Sequence, residues 1–454
     1  MSSRPHIVAF GIVVLAAIAA RGPSAQTPTP DGTFSMALTG NSIMTRPLAI
    51  YREPPFLNLI ELLRGADASM TVFESVFSDY ESYATTETNT ALRTDPALAK
   101  DLVWAGFDLI ALAHNHSHNF GEVGARLTRK YLKDVGLVAA GTGESLAEAR
   151  EAKFLETPKA RVALISVAST YASHSAAGKT RGDIPARPGV NPLRFSTTYI
   201  VPPEQMAQLR GLLTELKMPA PAASAERLRF LGQTFVTGDK AEVRTEPNSR
   251  DVAEIAAVVS NASRLADYTI VTSHTHESDG SDTGMPPQFL VKFAHAMIDA
   301  GADAFWGHGA LNIRGVELYK GKPILYALGN FTLGVDTPTR KPVDSFEDRG
   351  LGPDAGVADW NEAGGRMGPQ AGEGLVATAR WRGHELVELA LHPISLGYAK
   401  KRGIEYGRPM LADAAMSQKI GNDLIQRSKP FGTRITIREG VAYVGLDSSV
   451  SRKQ

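Results

Sequence analysis

Apolar and polar positions alternate along most of the chain in a pattern that predicts strands followed by helices. The segment 33–40 (TFSMALTG) has the pattern of a strand, and 55–67 (PFLNLIELLRGAD) has apolar residues at helical spacing. The segment 107–114 (FDLIALAH) is almost continuously apolar, which is typical of a strand buried on both faces. A helix at 251–266 and a strand at 267–274 continue the alternation. This order predicts an α/β fold.

The same pattern suggests how the domain is organised. Residues 33–335 are predicted to form the main domain, with 174–250 as an irregular insertion that contains one or two helices, because this segment is rich in Pro, Gly, Ala and Ser. The polar, Gly-rich segment 336–373 predicts a long loop. Residues 374–454 are predicted to add strands and a hairpin that complete the domain.

The N-terminal segment has the layout of a secretory signal peptide. Arg4 precedes an apolar run over 7–20, and Ala20 or Ala25 offers a small residue for cleavage. We therefore predict a signal peptide over 1–25, a linker over 26–32 and export to the periplasm or cell surface. The alternative is that the segment stays uncleaved and anchors the protein.

Composition narrows the chemistry. The chain of 454 residues has 48 basic and 48 acidic side chains, so charge gives no reason to expect nucleic acid as a partner. It has no cysteine, which excludes disulfides, thiolate metal sites and cysteine nucleophiles. Any metal ion must therefore be held by His, Asn, Asp or Glu.

Polar side chains follow five of the predicted strands where those strands end. These side chains are Asn41, Glu74, Asn115 with His116, His274 with His276, and His308. Because crossovers of one hand bring strand ends to one edge of a sheet, we expect these residues to meet there. A single histidine at a strand end is most often only a hydrogen-bonded polar residue. Imidazoles, amides and a carboxylate that converge from several strands instead predict a divalent metal site that would activate water.

Three of the eleven histidines fall within five residues, in the segment 111–121 (ALAHNHSHNFG). In an extended strand, His114, His116 and His118 would share one face. If the chain turns after His116, as expected at a strand end, their side chains diverge. We expect His116 to point into the site, and His114 and His118 to shape the site or face solvent.

These strand-end motifs, in this order, resemble those of the CapA family, the poly-γ-glutamate capsule synthesis proteins. The resemblance covers about residues 33–335, and the segment from LADAA to FGTRITI resembles the tail of the family. It is carried by LTGNSIMTRPL, LRGADASMTVFES, LVWAGFDLIALAHNHSHNFGEVGARLTRKYLKDVGLVAAGTGESLAEA, RPGVNPLR, DYTIVTSHTHES and FAHAMIDAGADAFWGHGALNIRGVELYKGKPILYALGNF. It implies a calcineurin-like metallophosphatase fold: a four-layer α/β/β/α sandwich with a site at the strand ends.

The family's functional positions match this chain only in part. The matching residues are Glu74, Asn115, His116, His274, Glu277, His308 and Asn330. Asn41 and Asn119 stand where the family has Asp, and Leu311 stands where it has a second His. Amides bring no charge to offset two dications. Read with these departures, the resemblance favours one divalent ion of the Mn, Zn or Fe type over two, held by His116, His274, His308 and Glu74 or Asn115. A degenerate, metal-poor binding site is the alternative. Asn41 is a further candidate ligand, and His276 would replace the lost imidazole.

The resulting hypothesis is an exported CapA-type protein that acts in the synthesis or handling of an anionic cell-surface polymer such as poly-γ-glutamate, as a metal-dependent hydrolase. Glu74, Asn115 and His116 would be catalytic, and Arg314 and Asn330 would bind an anionic polymer or a phosphate-containing small substrate. A membrane-associated polymer synthase would be its partner. Two alternatives stay open: a non-catalytic binding or scaffold subunit of such a machine, and a phosphodiesterase unrelated to capsule.

Overall fold

The computed structural model describes residues 32–85, 90–219, 226–335, 337–364, 368–398 and 403–446. The predicted signal peptide and nearly all of the predicted linker lie outside these ranges. Among the described residues, no helix combines the length and apolar character needed to cross a membrane.

The described residues form strands and helices in alternation, which confirms a mixed α/β fold. The strands are β1 Phe34–Ile43, β2 Ala68–Phe73, β3 Val76–Phe77, β4 Arg93–Thr94, β5 Leu109–Ala111, β6 Val138–Ala140, β7 Thr142–Gly143, β8 Lys153–Glu156, β9 Arg161–Ala168, β10 Gly189–Val190, β11 Phe195–Val201, β12 Arg227–Phe230, β13 Gln233–Thr237, β14 Glu242–Pro247, β15 Tyr268–Thr275, β16 Ala304–Gly309, β17 Val316–Tyr319, β18 Lys322–Leu325, β19 Asn330–Leu333, β20 Glu373–Arg382, β21 Glu385–Ser395, β22 Met410–Leu411, β23 Ile435–Arg438 and β24 Val441–Val444. The helices are α1 Pro54–Arg64, α2 Ala99–Ala105, α3 Gly121–Asp134, α4 Leu146–Arg150, α5 Pro203–Glu215, α6 Ser249–Ala262, α7 Gln288–Asp299, α8 Val343–Glu347, α9 Val357–Ala363 and α10 Ala414–Ser428.

Two large sheets organise the chain. Sheet I has the order β23-β24-β21-β20-β1-β2-β5-β6, with β19 beside β1 and β22 beside β21. Sheet II has the order β17-β18-β16-β15-β9-β8. The strands β1, β2, β5 and β6 run parallel in sheet I, and β9, β15, β16 and β18 run parallel in sheet II. Each sheet therefore presents several carboxyl strand ends along one edge.

An apolar core lies between the two sheets. Met36 and Leu38 of β1 and Trp306 of β16 belong to it, and all three are buried. Ala37, which lies between the first two in sequence, belongs to a different cluster, because successive side chains of a strand point to opposite faces. The two sheets therefore pack face to face, which brings their strand ends together.

Helices cover the faces of the sheets that are turned away from this core. Phe56 and Leu59 of α1 pack with Ala37 on sheet I. Val259 of α6 and Phe293 of α7 belong to the corresponding cluster on sheet II. Burying each large apolar side chain stabilises the fold by roughly 1.5–3 kcal/mol. These clusters hold the strands rigidly under the polar residues at their ends.

The segment 174–250 is more regular than its composition predicts. It contains a four-stranded sheet of order β12-β13-β11-β14, with α5 packed on one side of it. The expectation of an irregular insertion is therefore wrong for most of this segment. These strands have few fully buried positions, so they lack the apolar runs that marked the strands of the main sheets. The expected loop at 336–373 likewise contains the short helices α8 and α9.

Candidate metal centre

Both sheets deliver polar side chains to the same place. Glu74 directly follows β2 of sheet I. His274 lies in β15 and His308 in β16 of sheet II, and the parallel register places these two residues side by side. The face-to-face packing of the sheets brings Glu74 to 3.7 Å from His274, between Oε1 and Nε2. The sequence-based expectation of convergence at strand ends is therefore met by these residues.

The segment after β5 folds into a tight turn that carries Asn115 and His116. The N–H groups of Ser117 and Asn119 donate to the carbonyls of His114 and His116, at 3.2 and 3.1 Å. The turn thus begins at His114, earlier than the sequence suggested, because Ser117 Oγ also donates to the carbonyl of Leu112, directly after β5, at 2.6 Å. The three imidazoles diverge as a result.

His114 and His118 are both buried, so of the two expected alternatives, shaping the site or facing solvent, the second is wrong. His114 lies beside the site: its ring centre is 5.8 Å from that of His274. Its Nδ1 accepts the backbone N–H of His116 at 3.2 Å. His114 therefore shapes the turn that presents His116.

Three side chains offer ligand atoms to one point. One atom each from Glu74, His274 and His276 lies within 4.8 Å of the others. The Nε2 atoms of His274 and His276 are 3.0 Å apart, and Glu74 Oε1 lies 3.9 Å from His276 Nε2. Ligands about 2.1 Å from one ion are about 3.0–3.4 Å from each other. Small side-chain movements therefore suffice to bring the ligand atoms of these three residues to coordination distance from a single ion.

Asn115 and His116 extend this group. Asn115 Oδ1 lies 3.0 Å from His274 Nε2, and His116 Nε2 lies 4.0 Å from Glu74 Oε1. Asn119 Oδ1 accepts the N–H of Leu92 at 2.8 Å and lies 2.7 Å from His116 Nδ1. Because this oxygen is an acceptor, His116 Nδ1 carries the proton and donates it. The lone pair of His116 Nε2 therefore faces the site.

Burial sets the protonation of the group. Glu74 is buried and its Oε2 has no hydrogen-bond partner among the described residues, and burial raises the pKa of Glu74 to about 8. Burial lowers the pKa of His116 and His276 to about 4 and that of His308 to about 3. The imidazoles are therefore neutral at pH 7 and their lone pairs are available. A buried, unpaired carboxyl oxygen beside neutral imidazoles fits a divalent cation, which would stabilise the ionised form of Glu74.

His308 contacts His274 from behind. Its Nδ1 lies 3.0 Å from His274 Nδ1, the nitrogen opposite the one that approaches Glu74. One of these two nitrogens carries the shared proton, which fixes the ring of His274. His308 Nε2 has no hydrogen-bond partner among the described residues. A ligand role for His308 stays a prediction, whereas its contact with His274 is direct.

Asn41, Asn330 and Arg314 bind backbone groups. Asn41 Oδ1 accepts the N–H of Gly309 at 2.8 Å, and its Nδ2 donates to Asn330 Oδ1 at 3.0 Å. Asn330 Nδ2 donates to the carbonyl of Ala371 at 2.8 Å. Arg314 Nη2 donates to the carbonyl of Glu277 at 2.6 Å. Metal binding by Asn41 and substrate binding by Asn330 and Arg314 stay predictions.

One residue that positions the site was missed from the sequence. The N–H of His276 donates to Thr170 Oγ1 at 2.8 Å, and this hydroxyl donates to Glu277 Oε2, also at 2.8 Å. Thr170 follows β9, so it reaches the same edge of sheet II as the histidines. The polar pair after the apolar run RVALISVA is the signal that would have identified it.

We expect Thr170→Val to weaken metal binding about 5- to 10-fold. The substitution removes the acceptor for the His276 N–H, and one such hydrogen bond contributes about 1 kcal/mol. Titration of the chelator-treated protein with Zn²⁺ measures the effect. Thr170→Ser keeps the hydroxyl and should bind as the wild type does. Equal affinity in the valine variant would show that His276 needs no such support.

Comparison with known proteins gives the family. The family model described as bacterial capsule synthesis protein PGA_cap matches residues 21–334. Protein y4sH of Sinorhizobium fredii is 37% identical over 442 residues, which is 93% of this chain and 95% of that protein. The capsule biosynthesis protein CapA of Bacillus anthracis is 23% identical over 279 residues, which is 61% of this chain and 53% of that protein.

A probable polyglutamine synthesis accessory protein of Mycobacterium tuberculosis is 42% identical over 86 residues, or 19% of this chain and 22% of that protein. The family match spans well over half of the chain, and it includes every strand end that contributes to the candidate metal centre. The predicted resemblance to CapA proteins is confirmed, and the chain belongs to the bacterial capsule synthesis protein family PGA_cap.

Proposed function

We propose that this protein acts, after export, in the synthesis or handling of an anionic cell-surface polymer such as poly-γ-glutamate, and that it does so with one divalent ion of the Mn, Zn or Fe type. The observation that carries the proposal is the approach of Glu74, His274 and His276 within 4.8 Å. The names of the relatives from Bacillus anthracis and Mycobacterium tuberculosis support the polymer class. The face-to-face sheets under helices support a metallophosphatase-like four-layer α/β/β/α sandwich.

In the hydrolase form of the proposal, Glu74, His274 and His276 would hold the ion, with Asn115 next to them. A bound ion of this kind lowers the pKa of water and polarises a carbonyl or phosphoryl oxygen. His116 Nε2 is the protein's own proton acceptor at the site, because Asn119 holds the other nitrogen in its protonated form. Burial keeps His116 neutral at pH 7, so its Nε2 lone pair is available.

The proposed partners follow from location and charge. An exported protein that handles a nascent anionic polymer would work beside a membrane-associated polymer synthase, and we propose such a partner. Balanced charge over the whole chain supports a small or polymeric anion bound at a local site over nucleic acid bound along a broad basic face.

A non-catalytic binding or scaffold subunit is the second candidate, and two observations favour it. The amide of Asn41 is fully engaged by Asn330 and by the backbone of 309–310. Leu311 packs against an apolar cluster that contains Ile43 and Leu333, so no imidazole approaches from that position. This chain therefore lacks the Asp at position 41 and the second His at position 311 that the family has. The residues around Asn41 and Leu311 pack against the replacements.

Rebuilding the family residues separates the two candidates. In Asn41→Asp, a carboxylate replaces an amide nitrogen that donates to three oxygens, so the chelator-treated variant should melt below the wild type. Mn²⁺ should restore its melting temperature, because the cation offsets the new carboxylate. Asn312→Asp, in the loop after β16, should show neither effect, because its amide contacts Thr283 and none of the groups around Asn41.

Cleavage of poly-γ-glutamate then decides the function. Metal-dependent cleavage by the wild-type protein, lost on chelation, supports the hydrolase. Cleavage that appears only in the Asn41→Asp, Leu311→His double variant supports the scaffold. A wild-type protein that neither binds a divalent ion nor binds the polymer would contradict both candidates.

A further inference from the structure

The substrate-binding role that the sequence suggested for Arg314 is not favoured by its contacts. Its guanidinium is buried and donates to the carbonyls of His276, Glu277 and Thr283. An anionic polymer needs cations that solvent and substrate can reach. Such cations lie in the segment 337–364, which passes beside the turn that carries His116.

Arg340 is an exposed and uncompensated cation. Its guanidinium carbon lies over the ring of Tyr80, 5.0 Å from the ring centre. Within the described part of the chain it forms no hydrogen bond and no ion pair. Stacking on an aromatic ring holds the guanidinium in place while its N–H donors remain free. Arg340 is therefore a preorganised binding group for an anion.

A second arginine on the same ring provides a contrast. The guanidinium of Arg93 lies 4.7 Å from the centre of Tyr80. Arg93 is neutralised, because its Nη2 lies 2.9 Å from Asp79 Oδ1 and its Nε donates to the carbonyl of Ser78. Of the two arginines stacked on Tyr80, only Arg340 keeps an unbalanced charge.

Lys341 adds a second positive charge next in sequence. Its Nζ lies 3.7 Å from the ring centre of Trp360 and donates to the carbonyl of Thr90 at 3.2 Å. These two contacts fix the direction of the side chain. Arg340 and Lys341 are thus each held by an aromatic ring, and together they place two cations on one short segment.

Two separate contacts connect these cations to the metal centre. Tyr80 packs edge-on against Phe120, the residue after Asn119, with ring centres 6.2 Å apart. The segment just before β4 accepts the Lys341 ammonium at the carbonyl of Thr90, and its Leu92 N–H donates to Asn119 Oδ1, the atom that orients His116. Both cations therefore lie beside the His116 turn.

We propose that Arg340 and Lys341 form a subsite that binds an anionic group of an extended acidic polymer next to the metal centre. The inference rests on the proposed function and deepens it, since it names the residues that would hold the chain on one side of His116. A planar guanidinium binds carboxylate or phosphate oxygens through two parallel hydrogen bonds, and a nearby ammonium adds charge attraction. A polymer with an anionic group on every unit would occupy the metal centre and the subsite at once.

The test measures polymer binding and metal content separately. Labelled poly-γ-glutamate and labelled polyphosphate are titrated with wild type, Arg340→Gln, the Arg340→Gln, Lys341→Gln double variant, and Arg229→Gln. Arg229 is an exposed arginine of β12 in the insertion sheet and serves as the matched control. Arg340→Gln should weaken binding at low salt about 3- to 10-fold, and the double variant at least about 10-fold, with reduced salt dependence. Arg229→Gln should bind as the wild type does.

The two polymers distinguish a carboxylate from a phosphate as the natural anion, because only the matching polymer should show the loss. If the wild type binds a polymer and both variants bind it equally well, the subsite is overturned while the proposed function stands. If the wild type binds neither polymer, the subsite is overturned together with the polymer part of the proposed function. Unchanged metal content in Arg340→Gln confirms that a loss of polymer binding is local to the subsite.

Discussion

Replacing His274 with alanine is expected to lower the affinity for Zn²⁺ or Mn²⁺ by at least about 100-fold. His274 Nε2 is the central atom of the candidate ligand group: it lies 3.0 Å from His276 Nε2 and from Asn115 Oδ1, and 3.7 Å from Glu74 Oε1. Without it, the remaining atoms no longer surround one point. Loss of one ligand of a small site removes several kcal/mol of binding free energy. Metal analysis of the purified protein, followed by titration after chelation, measures the change.

His274 is fully buried, so the experiment includes a second variant that the fold tolerates more easily. His276 keeps 32% of its side chain exposed, and His276→Ala should also lose most of the bound metal while melting close to the wild type. His384→Ala is the control, because this imidazole lies at the opposite end of the strands and is 68% exposed. This variant should keep its bound metal. Full metal content in both His274→Ala and His276→Ala would rule out this centre.

The metal-free protein is expected to lose about 2 kcal/mol of unfolding free energy, relative to Glu74→Gln, between pH 6.5 and pH 8. Burial raises the pKa of Glu74 in the folded protein to about 8, whereas the unfolded chain has an ordinary value of 4.5. The stability that comes from burying the neutral acid is complete below pH 4.5 and is lost as pH rises through 8. Between these two pKa values, each pH unit lowers the free energy of unfolding by about 1.4 kcal/mol.

Chemical denaturation at several pH values, with a chelator present, measures this loss. The buried histidines have lowered pKa values and act in the opposite direction at acidic pH, but they are present in both proteins and cancel in the comparison. A bound divalent ion should abolish the difference, because it stabilises the ionised carboxylate. Identical pH profiles for the metal-free wild type and Glu74→Gln would show that Glu74 is ionised without a metal.

The strand-end residues were the most predictable part of the site. Glu74, His274 and His308 each follow or end an apolar run, and parallel strands have a fixed direction in a sheet, so their convergence could be expected from the order of elements alone. The insertion was the least predictable. Its strands carry polar and half-buried residues, and such strands form only because they pair with one another.

The role of each polar residue at the strand ends depended on hydrogen bonds that local sequence does not specify. Asn41 and Asn330 follow strands as His274 does, yet their amides bind each other and nearby carbonyls. His276 was only a substitute ligand in the sequence interpretation, and the structure places it 3.0 Å from His274. Thr170 and Arg340 gained their significance from neighbours that are far away in the chain.

The sequence by itself determined the α/β alternation, the edge of the sheets where the polar residues gather, and a ligand set without thiols. These properties follow from local periodicity, strand direction and composition, which need no knowledge of distant contacts. Only the tertiary structure decided which ligand atoms approach one point, which nitrogen of His116 is protonated, and that Arg340 has no ion-pair partner among the described residues. Those outcomes depend on how two sheets and a distant loop pack together, and differences of one or two ångströms decide them.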